Sequence, residues 1–233
     1  MDIVRLRLGI SLVGFRDVWA LQREIHDDVV TGRRPDTVLL LEHASVYTAG
    51  RRTARSERPT DGSDVVDVDR GGRLTWHGPG QLVAYPIVRL ADPVDVVAYV
   101  RALEQAVIDT AAEWGVTGGR VPGRSGVWVA GTPERKLAAV GVRVARGVTM
   151  HGVAVNADAD LSPFSSIVPC GISDAGVTSL AMEAGRPVTV LDVADAVERH
   201  LPAAVAPCLA SPPDDGAPPS GPAVLAPSAV PAP

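Results

Sequence analysis

The chain has 233 residues, which suits one domain of about 200 residues and a tail. Its net charge of −5 argues against nucleic-acid binding, and the lack of any run of about 18 apolar residues argues against a transmembrane helix. Two cysteines without a CxxC pair or a metal-like cluster, and an N-terminus without signal-peptide features, predict a cytoplasmic protein with no metal site.

The first half of the chain predicts two helices and four strands. Residues 15–30 have the 3.6-residue period of an amphipathic helix, and Asp92-Pro93 is typical of a helix start, followed by apolar residues at helical spacing up to Ala111. Short apolar or alternating runs predict strands at residues 3–8, 37–41, 65–68 and 82–88. Residues 48–63 have no period and carry Arg51, Arg52, Arg55 and Arg58, which indicates a loop with a basic patch.

The second half predicts a meander, two helices and a tail. Consecutive strands are expected at residues 127–129, 137–144 and 148–155, and helices at 178–184 and 189–200. The second helix begins with Thr189 and Asp192, an N-terminal capping pattern. Residues 208–233 are rich in Pro, Ala, Ser and Gly and are expected to be disordered, which leaves 1–207 as the folded domain. Strands and helices without regular βαβ alternation indicate an α+β fold.

A glycine-rich segment at residues 70–81, RGGRLTWHGPGQ, stands between two of these strands. Four glycines and a proline let the backbone approach a ligand closely and leave N–H groups accessible. The alternative is an ordinary hairpin turn, but a turn does not require the Arg-Gly-Gly entry or the neighbouring His77. We therefore interpret the segment as a binding loop, and it does not match the nucleotide-phosphate motifs.

Lys136 is the single lysine among 22 basic residues. There are two alternative explanations. One is Arg-favouring codon usage, and the other is a site that needs an amine able to lose its proton, which a guanidinium does not do. Alternation in RKLAAVGVR predicts that Lys136, Ala138 and Val140 share one strand face, with Leu137, Ala139 and Gly141 on the other. Lys136 is then either an exposed surface lysine or part of a site.

Two further segments carry possible chemistry. In VPCGI, Pro169 and Gly171 flank Cys170, which suits a tight bend that presents a sulfur, although a free cysteine is more often a small buried hydrophobe. We expect no disulfide with Cys208, which borders the Pro-rich tail. In TMHGVAVN, Gly152 after His151 indicates either close approach of a ligand or another backbone, or a β-bulge.

Together these segments resemble the lipoyl(octanoyl) transferase family. The matching pieces, in family order, are RGGRLTWHGPGQ with LVAYPIV, GRSGVWV, RKLAAVGVRV, HGVAVN and VPCGISDAGVTSL. Trp76 stands where Tyr is common, and Ala139 where Ser is frequent. The resemblance implies a mixed sheet with packed helices, like the catalytic domain of biotin and lipoate protein ligases.

The resemblance also implies a reaction and a set of site residues. Octanoyl would pass from acyl carrier protein to a specific lysine of a lipoyl domain through a thioester on Cys170, with Lys136 lowering the pKa of that thiol. The implied substrate contacts are Arg70, Gly71, Gly72, Arg73, Leu74, Thr75, Trp76, His77, Ala139, Val140, Gly141, Gly152, Val153 and Ala154.

The implied partners are acyl carrier protein, whose phosphopantetheine carries the acyl group, and the lipoyl domains of 2-oxoacid dehydrogenases and the glycine cleavage H protein. We expect a monomer with no cofactor of its own, because thioester to amide is downhill and needs no ATP. Residues 51–58 are a candidate dock for an acidic partner, with a solvated loop as the alternative. Three other functions remain open: an octanoyl amidotransferase, an ATP-dependent lipoate or biotin ligase, and an inactive acyl-protein binder.

Overall fold

The computed structural model describes residues 1–60, 62–167 and 175–211, which form two sheets with helices on the larger one. The strands are β1 (Asp2–Arg5), β2 (Thr37–Leu41), β3 (Val46–Ala49), β4 (Val65–Asp67), β5 (Leu74–His77), β6 (Gln81–Ile87), β7 (Gly118–Val121), β8 (Arg124–Val129), β9 (Arg135–Ala145), β10 (Val148–Asn156) and β11 (Gly176–Val177). The α-helices are α1 (Phe15–Val30), α2 (Val96–Ala112), α3 (Leu180–Ala184) and α4 (Val190–Val205), and short 3₁₀ turns cover Arg55–Glu57, Ser162–Ser166 and Ala206–Cys208.

The larger sheet is mixed, which confirms the α+β prediction. Its described strands follow the order β1-β2-β6-β10-β9-β8-β7, and β11 also pairs with β9. The pairs β1–β2 and β9–β11 are parallel, whereas the other neighbours are antiparallel. The predicted meander is present as β8, β9 and β10, and it forms the part of the sheet that carries Lys136 and Gly152.

Helices bury both faces of this sheet. In β2, Val38 and Leu40 belong to the core under α2 and α4, whereas Leu39 and Leu41 belong to the core under α1. A strand buried on both faces needs a continuous apolar run, which explains why this strand could be predicted within its observed bounds. The helix predicted at residues 15–30 is likewise observed as α1.

A smaller sheet, in the order β4-β3-β5, lies beside the candidate binding loop. Leu74 and Trp76 from β5 pack with Phe164 from the Ser162–Ser166 turn, and the Trp76 and Phe164 rings meet edge to face with centroids 5.6 Å apart. The indole Nε1 of Trp76 donates to Ser45 Oγ at 2.9 Å. This sheet therefore has its own apolar core.

Four short strands were not predicted, among them the two-residue β11. β3 occupies part of the expected loop, β5 lies inside the glycine-rich segment, and β7 begins with Gly118-Gly119, which is more typical of a turn. β5 pairs with β3, so its strand character depends on a partner distant in sequence. A single-strand pattern of four residues carries too little information to reveal such pairing.

The start of α2 was predicted wrongly. Asp95, not Asp92, is the N-cap, and its carboxylate accepts the N–H of Ala98 at 2.9 Å. The predicted second capping motif is correct: Thr189 and Asp192 form a reciprocal capping box at the start of α4. That helix continues through Pro202 to Val205, five residues beyond the predicted end.

A β-bulge changes which side chains share a face of β9. Trp128 of β8 pairs with Lys136, and the next β8 residue, Val127, pairs with Ala138, so Leu137 is the extra residue. Leu137 and Ala138 both lie in the core under α2 and α4. The predicted face shared by Lys136 and Ala138 is therefore wrong, because simple alternation fails at a bulge.

The end of the described chain returns to the large sheet. Leu209 bridges to Leu90, and the N–H of Ala210 donates to the carbonyl of Arg89 at 3.0 Å, so both residues are tied to the fold. The predicted tail beyond residue 211 lies outside the described residues. None of the described helices combines the length and apolar character that a membrane crossing requires.

Candidate active site

The main cavity opens between β9, β10 and the loop at residues 70–73, and it encloses about 290 Å³. Twelve of the residues predicted at the site from the sequence line it: Arg70, Gly72, Arg73, Thr75, His77, Lys136, Ala139, Val140, Gly141, Gly152, Val153 and Ala154. The remaining lining residues are Phe15, Arg52, Tyr85, Gly123, Arg124, Ser125 and His151. Five of the described lining residues are basic and none is acidic, so the cavity favours a substrate with an anionic part.

Arg70 organises the loop that forms one wall. Its Nη1 donates to the carbonyls of Gly71 and Arg73 at 3.0 and 2.9 Å. Its Nη2 donates to the carbonyl and the hydroxyl of Thr48, both at 2.9 Å. The side chain is buried, and four donors of its guanidinium fork are used to hold the loop against β3. Arg70 thus shapes the wall as well as lining it.

The basic patch is attached directly to this loop. The N–H groups of Gly50, Arg51 and Arg52 donate to the carbonyls of Arg73, Arg70 and Gly72 at 3.4, 3.2 and 3.0 Å. These backbone hydrogen bonds bring Arg52 to the cavity, although the sequence separates the two loops by about 20 residues.

Lys136 lies in the wall of two cavities. It lines the main cavity and a second, smaller space shared with Thr75, Gln81, Asn156 and Val177 among others. Only 7% of its surface is exposed, and within the described residues its ammonium makes no hydrogen bond or ion pair. Its Nζ lies 4.5 Å from the centroid of the Trp128 ring, which offers a cation–π contact. Lys136 is therefore not a surface lysine.

The rings of Phe15, His77 and Tyr85 line the main cavity, and the buried His43 ring packs against all three. Phe15 from α1 stacks on His77 with centroids 6.2 Å apart and planes 6° apart. The His43 ring is held by the Val13 carbonyl at 3.1 Å and the Tyr85 hydroxyl at 2.9 Å. Burial lowers the pKa of His43 to about 4 and that of His77 to about 3, so both rings are neutral at pH 7.

His151 occupies a distorted position in β10. Its φ of 60° is unusual for a residue with a side chain, and its N–H leaves the sheet to donate to Gln22 Oε1 at 2.8 Å. Its Nε2 lies 2.9 Å from Asp69 Oδ1, while Arg143 contacts the other oxygen of Asp69 at 2.6 Å. Burial lowers the pKa of His151, and its hydrogen bond lowers the pKa of Asp69 to about 2.

Gly152 is required by close approach of two strands. A Cβ built on it would lie 2.2 Å from the backbone carbonyl oxygen of Ala84 in β6. Close approach of another backbone therefore explains the glycine, as one of the two alternatives predicted. The other, a β-bulge, is wrong, because β10 pairs with β9 through His151 and Gly152 without a register shift.

Gln81 and Asn156 link the two cavities. Gln81 Oε1 lies 2.7 Å from His77 Nδ1, and Gln81 Nε2 donates to Asn156 Oδ1 at 2.9 Å. Asn156 Nδ2 donates to the carbonyl of Thr178 at 2.8 Å, and the Thr178 N–H donates to the carbonyl of Lys136 at 3.0 Å. Asn156 was not singled out from the sequence, because only the fold joins β6, β10 and the chain after β11.

Three residues in the predicted substrate stretches lie away from the cavity lining. Leu74 and Trp76 alternate with Thr75 along β5 and point into the core of the smaller sheet, and the N–H of Gly71 donates to the carbonyl of Val142 at 3.0 Å. Their role as substrate contacts stays a prediction.

Cys170 belongs to residues 168–174, which lie outside the described residues. Among described side chains, no group of three or more His, Cys, Asp or Glu is arranged to hold a metal.

Phe15, Arg52, Tyr85, Arg124 and Ser125 are cavity residues that the sequence did not reveal as site residues. Phe15 has the pattern of an ordinary helix residue, and Tyr85 lies in a strand that is buried throughout. Arg124 and Ser125 follow the β7–β8 turn in GRSGVWV, a segment that had been quoted only as part of the resemblance.

Solved structures with the same fold include an ATP-bound lipoate-protein ligase A, with a TM-score of 0.67 at 17% identity over 88% of this chain and 86% of that one. A lipoate protein ligase from Thermoplasma acidophilum has a TM-score of 0.66 at 14% identity over 88% and 82% of the two chains. These similarities confirm the predicted lipoate-ligase-like fold and, at such identities, nothing beyond it.

Relatives found by sequence comparison have much higher identity to this chain than these solved structures. The octanoyltransferase of Salinispora tropica is 60% identical over 88% of this chain and 97% of the relative. That of Mycobacterium tuberculosis is 61% identical over 79% and 80% of the two chains. The lipoyl protein ligase A/B catalytic domain family matches residues 15–202. The chain therefore belongs to the lipoyl protein ligase A/B catalytic domain family and, within it, to the octanoyltransferases, which are acyltransferases that act in protein lipoylation.

Proposed function

We propose that this enzyme moves octanoyl from acyl carrier protein to a lysine of a lipoyl domain through a thioester on Cys170. The observation that carries the proposal is Lys136: the single lysine of the chain is buried at the junction of two cavities and has no ion-pair partner within the described residues. A buried amine without a counter-charge is costly to maintain, which favours a chemical role.

The chain on both sides of the cysteine segment supports a meeting of Cys170 and Lys136. Phe164, shortly before the segment, and Val177, shortly after it, both line the smaller cavity together with Lys136. Val177 also pairs with Lys136 in the β9–β11 register. The described chain thus lies at the cavity that holds the amine both before and after residues 168–174.

The chemistry of the first half-reaction follows from this pair. An ordinary thiol has a pKa of about 8.5 and is only a few per cent thiolate at neutral pH, whereas the thiolate is the nucleophile. Lys136 assists either as an ammonium that stabilises the thiolate or as an amine that accepts its proton. Attack on the carrier thioester forms acyl-Cys170 and releases the phosphopantetheine thiol. Backbone N–H groups are suited to stabilise the oxyanion.

In the second half-reaction, the lysine of the lipoyl domain attacks the acyl-Cys170 thioester as a neutral amine. An amide forms, the Cys170 thiolate leaves, and Lys136 is the proposed acceptor of the proton that the amine releases. No cofactor is needed, because amide formation from a thioester is downhill. The same argument distinguishes this proposal from an ATP-dependent ligase, which needs no acyl-bearing cysteine.

The cavity wall supports binding of an acyl chain. Ala139 and Ala154, which pair across β9 and β10, give this part of the wall small apolar side chains, whereas the side chains of Val140 and Val153 pack in the core under α2 and α4. At ~0.8 kcal/mol per buried CH₂, an octanoyl chain gains on the order of 5 kcal/mol, and one carbon changes that only modestly. We therefore propose a preference for octanoyl with measurable transfer of neighbouring chain lengths.

The basic patch supports docking of an acidic carrier at the cavity mouth. Arg51, Arg52 and Arg55 are exposed, and in the described part of the chain none of them has a carboxylate partner, whereas Arg58 pairs with Asp67. Unpaired cations beside an entrance accelerate association with an anionic partner, and salt weakens the effect. Reversal of Arg51 and Arg52 to Glu should raise the KM for the carrier at low salt. Reversal of both Arg33 and Arg34, beyond the far end of α1, is the charge-matched control.

The proposed reaction is tested by intact-protein mass spectrometry after mixing with octanoyl-acyl carrier protein. We expect one octanoyl adduct that hydroxylamine removes, that is absent in Cys170→Ala and that forms slowly in Lys136→Arg. An octanoylated lipoyl domain as the only donor tests the amidotransferase alternative. An adduct that persists in Cys170→Ala, or transfer that depends on ATP, contradicts the proposal.

A further inference from the structure

The hydrogen bonds behind the cavity wall determine where the protons of His77, Gln81 and Asn156 lie. A backbone carbonyl only accepts, so the group of Asn156 that contacts Thr178 is its NH₂, and its Oδ1 faces Gln81. Gln81 must then donate with its NH₂ and present Oε1 to His77. Since that oxygen only accepts, His77 carries its proton on Nδ1.

The remaining nitrogen of His77, Nε2, is left with a lone pair. Within the described residues it has no hydrogen-bond partner, and His77 lines the main cavity. The stacked ring of Phe15 holds the plane of the imidazole. Burial also keeps the pKa of His77 at about 3, so the ring is neutral at pH 7. A neutral ring in this tautomer accepts a hydrogen bond at Nε2 and has no proton there to donate.

We propose that Gln81 and Asn156 are positioning residues that hold His77 in the Nδ1–H form, so that Nε2 accepts a hydrogen bond from an N–H group of a substrate. This inference rests on the proposed function and adds to it the chemistry that His77 recognises. It excludes His77 Nε2 as a donor to the oxyanion. That role then falls to other donors, such as backbone N–H groups.

Two substrates of the proposed reaction carry such an N–H group. One is the amide of the phosphopantetheine arm, present when the thioester on Cys170 forms. The other is the amine of the acceptor lysine, present when that thioester is consumed. A hydrogen bond from the amine to Nε2 would orient the nitrogen lone pair for attack. Each N–H group is present in a different half-reaction, so rates measured for the two half-reactions separately identify which group binds His77.

The tautomer is measured without any substrate by ¹⁵N NMR of the full chain with labelled histidine. The protein has five histidines, and His77→Asn identifies the signals of His77 by their loss. We expect a neutral Nδ1–H imidazole at pH 7 in the wild type. Gln81→Glu retains an acceptor for Nδ1–H and should keep this form. Gln81→Leu removes the acceptor and should give a mixture of tautomers.

The effect of the His77 hydrogen bond on the reaction rate is measured in single-turnover experiments on each half-reaction. Gln81→Leu should slow one of them about three- to tenfold, the factor that corresponds to one neutral hydrogen bond, and Gln81→Glu should restore part of the rate. Slower acylation by the carrier identifies the pantetheine amide. Slower transfer from preformed acyl-enzyme identifies the lysine amine.

An Nε2–H or positively charged His77 in the wild type would overturn the inference while leaving the thioester on Cys170 untouched. The same conclusion follows if Gln81→Leu mixes the tautomers but slows neither half-reaction. A Cys170 adduct that fails to form is a different result, because it removes the proposed reaction and not the hydrogen-bonded arrangement of His77.

Discussion

Replacement of Arg70 by Lys tests whether its guanidinium organises the binding loop. A lysine ammonium has three donors on a flexible stem and does not reproduce the fork that reaches Gly71 and Arg73 on one side and Thr48 on the other. About two of the four hydrogen bonds should be lost. At ~1 kcal/mol net for each, and more for a charged donor, we expect a loss of about 2–4 kcal/mol in the free energy of unfolding.

The assay is urea unfolding followed together with octanoyl-transfer kinetics. Arg70→Lys should lower the midpoint without changing the slope, and it should reduce kcat/KM at least tenfold because the loop that lines the cavity loses its shape. Thr48→Val removes one acceptor and should cost about 1 kcal/mol. Arg73→Lys is the matched control: Arg73 is exposed and pairs with Glu57, so the midpoint should stay in place.

An unchanged unfolding midpoint in Arg70→Lys, with a raised KM alone, would refute this reasoning. That result would mean that Arg70 acts by binding substrate and that the loop keeps its conformation without the guanidinium.

Three further changes follow from the packing. Gly152→Ala places a Cβ 2.2 Å from the Ala84 carbonyl, so β6 and β10 must separate; we expect a loss of about 1–3 kcal/mol in urea unfolding and weaker acylation. Glu104 is fully buried and bonded to two arginines and a backbone N–H. Glu104→Leu should cost about 1–3 kcal/mol in the same assay, because the buried N–H of Gly126 loses its acceptor. His43 and His77 have pKa values lowered by burial, so the unfolded chain binds more protons below pH 6.5. Above pH 6.5 the free energy of unfolding should not change with the titration of these rings. Between pH 6 and 4.5 it should fall by up to about 1.4 kcal/mol per pH unit for each ring.

Each of these has an outcome that contradicts it. If Gly152→Ala keeps the wild-type unfolding midpoint and kinetics, β6 and β10 can move apart without a loss in the free energy of unfolding. If Glu104→Leu unfolds at the wild-type urea concentration, the hydrogen bonds of the buried Glu104 carboxylate contribute nothing to the free energy of unfolding. Stability that stays constant from pH 7 to 4.5 would show that neither histidine is held neutral by burial. Because burial also lowers the pKa of His151, His77→Asn should make the slope shallower without abolishing it.

The sequence by itself determined the elements whose residues are governed by local pattern. The α1 helix and the β2 strand follow from a 3.6-residue period and from a continuous apolar run, and the capping box at Thr189 follows from side chains three residues apart. The segments that form the main cavity were also predicted, because glycines and polar side chains between apolar strands are unusual enough to be visible in one chain.

The tertiary structure decided which side chains meet. β3 and β5 exist because they pair with each other, and the bulge at Leu137 places Ala138 in the core and Lys136 at the cavity. Neither result follows from alternation within one strand.

Only the folded chain also shows that Lys136 is buried, that Arg52 reaches the cavity, and that Gln81 lies between His77 and Asn156 in hydrogen-bonding contact with both. The physical reason is common to all of these. Burial and hydrogen-bond direction depend on contacts between residues far apart in the chain, whereas the period of a sequence reports only on neighbours within a helix turn or a strand.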